Sequence, residues 1–257
     1  MSDLHYLVDS HCHFDFDVFN SEREACWHRC VERDIRRLVI PGVEPVQWDK
    51  AYGLAKQYEG IAMSAGLHPW WIDKASLPPL PHWQHFLTQE HCVAVGECGL
   101  DALIDTPLDQ QQGIFEQHLT MAVECNLPII IHVRKAHNEV LQLLKRFRLP
   151  KGGVIHGFTG SYDLAMRYWQ QGLFLGVGGS ITYPRAAKTR AAIQAMPLES
   201  LVLETDAPDM PLQGYQGQAN TPLLLWEVAK ALALLKEKDL SQVALQTTHN
   251  SEQLFSL

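Results

Sequence analysis

Two hydrophobic periods alternate along the chain. Eight short runs rich in Val, Ile and Leu have the length and composition of buried β-strands, and stretches with apolar residues every three to four positions lie between them. The strand-like runs cover residues 5–9, 37–40, 61–65, 92–95, 128–131, 153–156, 173–177 and 201–204. Helical periodicity covers, among others, residues 21–36, 109–126, 135–147 and 162–171, and a final helical stretch covers residues 222–236.

This alternation predicts an α/β fold, because parallel strands need crossover connections of the kind that helices provide. No low-complexity tract, internal repeat or Gly/Ser/Pro-rich linker divides the sequence, so we expect a single domain over residues 1–257. An α/β barrel takes about 250 residues, and eight strand–helix units favour a (β/α)8 TIM barrel. A doubly wound open sheet is the alternative, but no Gly-x-Gly-x-x-Gly follows the first strand.

Composition and charge narrow the class of protein. Apolar residues make up 46% of the chain and charged residues 19%, as in ordinary globular proteins. The formal net charge of −8 argues against a general nucleic-acid coat protein, yet it permits an enzyme that grips a few nucleotides beside metal ions. The apolar runs are too short to cross a bilayer and the start lacks an export signal. We therefore expect a cytoplasmic protein with reduced cysteines, no membrane contact and no obligate protein partner.

Histidines and carboxylates that could bind a metal follow the carboxyl ends of the predicted strands. In a TIM barrel this end carries the active site. The first strand runs into His11 and His13, which alternation places on one side, where two imidazoles can chelate a divalent ion. Such a pair alone is a weak signal. The ends of the fourth, fifth, sixth and eighth strands add Glu97, His132, His156 and Asp206. Together these residues predict a metal site at the barrel mouth.

Other polar residues near the strand ends have two interpretations each. Glu204 shares a strand face with Asp206 and lies one layer deeper in the barrel. It either hydrogen-bonds an imidazole that binds the metal or forms an ion pair elsewhere in the barrel. His68 either contacts a substrate phosphate or stabilises its own loop. Arg134 is a candidate phosphate clamp, with an exposed salt bridge as the alternative. Trp70 and Trp71 either stack a nucleobase or pack their loop, and packing is the favoured interpretation.

Six segments together resemble the TatD family of metal-dependent hydrolases, which are TIM barrels whose best-known members are metal-dependent DNases. The matching segments are residues 9–15, 66–69, 96–101, 128–134, 156–160 and 203–208. The resemblance implies that His11, His13 and Glu97 hold one divalent ion. It also implies that Glu97 bridges to a second ion held by His132 and His156, and Asp206 matches the family's aspartate on the eighth strand.

Two divalent cations, which the donor types allow to be zinc, manganese, magnesium or nickel, would make the mouth attractive to a phosphorylated substrate. Paired metals activate a water and stabilise the attacking and leaving oxygens of a phosphoester. Asp206 is the candidate to orient that water or accept its proton, with a role as a metal ligand equally open. We therefore expect hydrolysis of phosphoester bonds by a deoxyribonuclease or nucleotide phosphodiesterase, with single-stranded DNA ends as a possible substrate.

Two alternative functions use the same residues. An amidohydrolase-like enzyme would cleave C–N or carboxylic ester bonds, but such enzymes commonly bridge their metals with a carboxylated lysine where this chain has Glu97. A metal-storage or scaffold protein would hold the ions without turnover. Six candidate ligands shared by two ions leave open coordination positions, which favours catalysis.

The chain departs from the family pattern beside the predicted mouth. After Asp206, typical members carry a stretch with Arg-Gly-Lys that ends in Asn-x-Pro. Here residues 209–222 keep Asn220 and Pro222 but have glutamines in place of the two cations. Ala102 also stands where an aromatic residue is common. These changes weaken the case for long DNA as the substrate and leave metal-dependent hydrolysis intact.

Overall fold

A computed structural model describes residues 6–257, in which eight parallel strands form one sheet in chain order. The strands are β1 (Leu7–Asp9), β2 (Ile35–Ile40), β3 (Ile61–Ala65), β4 (Cys92–Asp101), β5 (Ile129–Arg134), β6 (Gly153–Ile155), β7 (Leu173–Val177) and β8 (Leu201–Leu203). The helices are α1 (Arg23–Glu32), α2 (Pro45–Gln57), α3 (Leu80–Leu87), α4 (Leu108–Glu124), α5 (His137–Leu144), α6 (Tyr162–Trp169), α7 (Ala187–Ala195), α8 (Leu225–Lys236) and α9 (Leu240–Phe255).

Backbone hydrogen bonds between the first and last strands close the sheet into a barrel. Ser10 N–H donates to the Leu203 carbonyl at 2.9 Å, and Asp206 N–H donates to the His11 carbonyl at 2.9 Å. The buried Asp9 carboxylate reinforces this seam, since it accepts from the Thr205 hydroxyl at 2.6 Å and from the Thr205 N–H at 3.0 Å. The prediction of a (β/α)8 barrel is therefore confirmed, and the open sheet is excluded.

Inward-facing side chains of the strands fill the barrel below the mouth. They form a cluster separate from the larger one between strands and helices, made of Val39, Ala94, Ile130, Val154 and Val202 with Leu254 and Phe255 of α9. Side chains alternate along a strand, so the positions two residues after three of these apolar ones also face inward. Those positions are His132, His156 and Glu204. The alternation that fills the barrel thus also carries polar groups to its mouth.

Several sequence-based boundaries are wrong. Residues 35 and 36, expected to end a helical stretch, begin β2, and β5 runs to residue 134 rather than 131. The helical stretch at 222–236 is not the final one, because α9 follows it over Leu240–Phe255. Polar side chains interrupt the apolar face of α9: Asn250, which is 2% exposed, donates to the carbonyls of Leu198 and Leu201. The fourth strand continues beyond Val95, where polar and glycine residues begin, and pairs with β5 as far as Asp101.

Some expectations stay predictions. His5, with which the first strand was expected to begin, lies outside the described residues. Within residues 6–257, every helix is either too short or too polar to serve as a bilayer span. The single-domain assignment and the cytoplasmic location stay predictions.

Candidate metal centre

A cavity of about 720 Å³ opens at the carboxyl ends of the strands, and Glu97 lies at its floor. All six residues predicted to bind metal come together here, although β1, β6 and β8 end before the residues they contribute. His11 and His13 follow β1 in irregular backbone, and their ring centroids lie 5.1 Å apart. Asp206 has a φ of +57°, so it reaches the site through a left-handed turn rather than through the strand alternation assumed from the sequence.

The position of Glu97 is fixed by the close approach of the backbone at Gly66 to the backbone at Gly96. Gly96 has a φ of +126°, which favours glycine, and a Cβ added to Gly66 would lie 2.4 Å from the Gly96 Cα atom. The Glu97 N–H donates to the Gly42 carbonyl at 2.7 Å. The glycines therefore let β3 and β4 approach closely enough to hold a buried carboxylate at the barrel axis.

One oxygen of Glu97 faces the donors that follow β1. Glu97 Oε2 lies 3.2 Å from His11 Nε2 and 4.0 Å from His13 Nε2. Asp206 Oδ1 lies 3.5 Å from each of the same two nitrogens. His11, His13 and Asp206 therefore form one set of donor atoms close enough to share an ion.

The other oxygen of Glu97 faces three further imidazoles. Glu97 Oε1 lies 3.4 Å from His132 Nδ1, 3.4 Å from His156 Nε2 and 3.5 Å from His68 Nε2. The Glu97 carboxylate thus stands between two groups of donors, one on each oxygen.

Carboxylates behind the site orient two of these imidazoles. Asp101 Oδ2 lies 3.2 Å from His132 Nε2, and Glu204 Oε1 lies 3.5 Å from His156 Nδ1. In both rings the remaining nitrogen faces Glu97, the arrangement by which a carboxylate typically presents a histidine to a metal. Glu204 also accepts from Gly157 N–H at 2.6 Å, and a Cβ at Gly176 would lie 2.2 Å from Glu204 Oε2. Glycine at position 176 therefore makes room for Glu204.

Asp101 is a site residue to which sequence reasoning gave no role. It lies four residues after Glu97, and the positions 97, 99 and 101 share a face only if the fourth strand continues to Asp101. Asp101 also accepts from Trp70 Nε1–H at 2.8 Å and from Leu103 N–H at 2.9 Å. Burial raises the pKa of Asp101, but the hydrogen bonds from His132 and Trp70 outweigh it and bring the pKa to about 2. Asp101 is therefore ionised at neutral pH.

His68 differs from the other imidazoles in its tautomer. Its Nδ1 accepts a hydrogen bond from Trp70 N–H at 3.1 Å, and burial lowers its pKa to about 3, so the ring is neutral. A neutral imidazole whose Nδ1 accepts must carry its proton on Nε2. His68 Nε2–H therefore points toward Glu97 as a hydrogen-bond donor, although its distances alone would also suit a metal ligand.

A second neutral imidazole, that of His118, stabilises the backbone next to His68. His118 of α4 is fully buried, and its Nε2 accepts from Leu67 N–H at 2.9 Å while its Nδ1 contacts the Ile114 carbonyl at 2.8 Å. Burial lowers the pKa of His118 to about 4. His118 therefore fixes the backbone next to His68, and nothing in its sequence context, a helix interior, signals this contact.

The chemistry of the site fits divalent cations. Several buried polar atoms at the mouth lack a hydrogen-bond partner: His11 Nδ1 and Nε2, His13 Nδ1, His156 Nδ1 and Glu204 Oε2. A buried polar atom left unpaired costs about 1–3 kcal/mol, and a cation bound between Glu97 and Asp206 would compensate His11 Nε2, which faces both carboxylates. Burial raises the pKa values of Glu97 and Asp206, but the neighbouring imidazoles, His156 foremost, lower both below their usual range. Both carboxylates are therefore available as anionic donors.

Cations and aromatic rings line the cavity above these donors. Arg134 is exposed there at the end of β5, together with Lys135 and with Lys188 of α7, neither of which sequence reasoning selected. Trp70 and Trp71 line the same cavity. In the segment that lacks the family's cations, Asn220 is 1% exposed and donates to the Thr205 carbonyl at 2.8 Å, so it stabilises the loop.

Comparison with known proteins agrees with this geometry. The family model described as TatD-related DNase matches residues 8–256. The metal-dependent hydrolase YjjV of Escherichia coli K12 is 40% identical over 254 residues, covering 98% of each chain. The crystal structure of E. coli YjjV has a TM-score of 0.91 at 39% identity and covers 98% of both chains. The 3′-5′ ssDNA/RNA exonuclease TatD of Erwinia tasmaniensis is 31% identical, covering 93% of this chain and 95% of its own.

Proposed function

The chain belongs to the TatD-related DNase family of metal-dependent hydrolases, and we propose that its barrel mouth hydrolyses phosphodiester bonds at the ends of single-stranded nucleic acid. The observation that carries this proposal is the Glu97 carboxylate, which has buried imidazoles on both of its oxygens, His11 on Oε2 and His132 and His156 on Oε1. The Erwinia relative, a 3′-5′ exonuclease, supports nucleic acid as the substrate class.

Each side of Glu97 would hold one divalent cation. We assign His11 and His13 to the first ion, His132 and His156 to the second, and Glu97 to both. Imidazole and carboxylate donors suit zinc, manganese or nickel, and the carboxylates admit magnesium. When bound, such ions supply Lewis-acid polarisation of phosphoryl oxygens and a water of lowered pKa.

Asp206 is the proposed proton acceptor. Its Oδ1 faces His11 and His13 at 3.5 Å, which leaves Oδ2 for a proton. A water oxygen attacks phosphorus, the bond from phosphorus to the leaving oxygen breaks, and the water proton passes to Asp206 Oδ2. The leaving oxygen then takes a proton from solvent. The lowered pKa of Asp206 keeps the carboxylate ionised at neutral pH, so it carries no proton of its own when the water proton arrives.

His68 and the exposed cations are proposed to hold the substrate phosphates. In the structure His68 Nε2–H points toward Glu97 Oε1 at 3.5 Å; once an ion takes up that oxygen, the uncharged N–H would be free to donate to a phosphoryl oxygen, because Nδ1 is fixed as an acceptor. Arg134 presents a planar guanidinium that grips phosphate with two parallel hydrogen bonds. Glu204 acts on the reaction only through His156, whose ring it faces at 3.5 Å.

The open cavity favours catalysis over metal storage. A structural metal site is closed by its protein ligands, whereas a catalytic site keeps a position for substrate or water. His13, Glu97, His132, His156 and Asp206 all line the cavity of about 720 Å³, which is large enough for a nucleotide.

The test is turnover of metal-reconstituted protein on a panel of phosphodiesters. The panel contains bis-p-nitrophenyl phosphate and 5′-labelled single-stranded DNA, and a chelator and the His132→Ala variant serve as controls. We expect cleavage of both substrates, sensitive to the chelator and lost in the variant. The ladder of DNA products reports the direction of digestion.

Other results would redirect the proposal. Cleavage of the small ester alone would keep the phosphodiesterase chemistry and reject nucleic acid as substrate. No cleavage of either substrate by metal-loaded protein would reject the proposal, and carbonyl substrates of the amidohydrolase type would be tested next.

A further inference from the structure

Trp70 stands out among the apolar side chains at the surface. It belongs to a short 3-10 helix, Pro69–Trp71, that follows β3, and 57% of its surface is exposed. Large exposed apolar side chains occur elsewhere in residues 6–257, but Trp70 alone among them lines the cavity of the candidate site. An aromatic ring exposed in the lining of a cavity offers a ligand a large, rigid apolar surface.

The orientation of the Trp70 indole ring is fixed by a hydrogen bond from its N–H group. Trp70 Nε1–H donates to Asp101 Oδ2 at 2.8 Å, and the ring meets the imidazoles of His68 and His132 edge-on, with centroids 5.3 and 6.4 Å away. Since the one polar atom of the ring is already paired, the exposed part is carbon. A ring fixed in this way loses little conformational entropy when a ligand covers it.

The neighbouring tryptophan offers no equivalent surface. Trp71 is only partly exposed, and the Lys74 ammonium lies over its ring, 5.1 Å from the centroid. Trp70 is therefore the residue of this pair whose ring is available to a ligand.

Trp70 lies beside groups that could bind the phosphates of a nucleotide while its ring contacts the base. Asp101 Oδ2 accepts from both Trp70 and His132, so the ring lies next to the proposed reaction centre. Arg134, Lys135 and Lys188 line the same cavity and can neutralise phosphates. An aromatic platform beside a phosphate-binding centre is the arrangement by which proteins hold single-stranded nucleic acid without reading its sequence.

We propose that Trp70 is the stacking platform for a nucleobase flanking the scissile phosphate, and that it makes the site select nucleic-acid ends over small phosphate esters. This inference rests on the proposed function. It concerns recognition of the base and is independent of which divalent ion is bound.

The experiment compares two 5′-labelled single-stranded DNA oligonucleotides, one normal and one with abasic tetrahydrofuran residues at both ends. The measured quantity is the preference, the ratio of kcat/KM for the normal over the abasic oligonucleotide. We expect the wild-type preference to be about 5- to 150-fold, the equivalent of about 1–3 kcal/mol for one stacked base. Trp70→Ala should bring the preference close to one, whereas Trp70→Phe, which keeps a ring, should retain most of it.

Matched controls separate stacking from support of the site. Tyr162→Ala removes another exposed aromatic ring, 44% exposed and outside the cavity lining, and should keep the wild-type preference. A parallel series with RNA oligonucleotides should give the same preference, because stacking reads the base and not the sugar.

Each contrary result has a distinct meaning. Equal cleavage of both oligonucleotides by the wild type would overturn the stacking role while the nuclease function stands. An equal loss on both substrates in Trp70→Ala would also overturn it, since Trp70 would then act only by supporting Asp101 and His132. Failure of the wild type to cleave either oligonucleotide would reject nucleic acid as substrate and the stacking role with it.

Discussion

The substitution Asp101→Asn tests whether the carboxylate behind His132 sets the affinity of one side of the site. Asp101 Oδ2 accepts from His132 Nε2 and Trp70 Nε1, while Oδ1 accepts from Leu103 N–H. Asparagine has one acceptor oxygen and one donor amide. If the oxygen replaces Oδ2, the amide faces Leu103 N–H, and if it replaces Oδ1, the amide faces two donors. Either orientation places donor against donor and removes the negative charge.

The size of the effect follows from the role of such carboxylates. Removing a group that orients a metal-ligating histidine typically lowers metal affinity 10- to 100-fold, or about 1.4–2.7 kcal/mol. Asp101 is 2% exposed, so solvent screens little of this interaction. The donors on the Glu97 Oε2 side, His11 and His13, do not contact Asp101. We therefore expect only the ion on the His132 side to bind more weakly.

The assay is calorimetric titration of metal-free protein with zinc, resolved into two binding steps. Glu227→Gln is the control, because Glu227 forms only an exposed ion pair with Lys230 on α8. One step weakened 10- to 100-fold and one step preserved would match the reasoning. Two unchanged steps would show that Asp101 does not orient His132, and two steps weakened alike would show that the substitution disturbs the whole mouth.

Three further substitutions or conditions give separate tests. His132→Ala should remove most activity and lower the bound-metal count measured by atomic absorption, with unchanged circular dichroism; full activity at full metal content would refute a ligand role. Arg134→Ala should leave the metal content unchanged and raise KM for phosphorylated substrates about 10-fold or more. An unaltered KM would show that Arg134 does not bind the substrate. His118, with a folded pKa near 4 against about 6.5 when unfolded, binds a proton in the unfolded chain but not in the folded one between these pH values. The contribution of His118 to stability should therefore fall by about 3 kcal/mol as pH drops from about 6.5 to 4, and His118→Gln should weaken the pH dependence of stability in denaturant titrations; equal pH profiles would contradict the buried neutral ring.

The barrel and the gathering of the six candidate donors at its mouth could be predicted because they depend on rules that act over the whole chain. Strand and helix periods fix the alternation, and the barrel topology then gathers every strand end at one mouth. His132 and His156 needed only this rule, since each stands two residues after an inward-facing apolar residue. Asp206 and His13 reach the same place through irregular backbone, which the rule tolerates because it requires only proximity to a strand end.

The residues that sequence reasoning missed depend on contacts between distant segments. Asp101 acts through a strand that continues past the point where its apolar run stops, and the extension is visible only in its pairing with β5. The tautomer of His68 depends on the direction of one backbone N–H group, that of Trp70. Lys188 comes from α7, which is not among the helical stretches named from the sequence. Such contacts carry no local signal in the residues that make them.

The charges at the mouth connect metal binding with substrate binding. Arg134, Lys135 and Lys188 line the cavity, and three carboxylates, those of Glu97, Asp206 and Asp209, line it as well. Asp101 and Glu204 add two buried carboxylates directly behind the imidazoles. The fixed charges of the protein at the mouth are therefore balanced or negative, and they provide little net attraction for a phosphate. Divalent cations bound as proposed would reverse that sign, so we expect the substrate affinity of this mouth, as well as its chemistry, to depend on metal loading. Arg134, Lys135 and Lys188 line the same cavity as the donors. We expect them to replace in part the cations missing after Asp209, and to suit a short single-stranded end better than a long duplex.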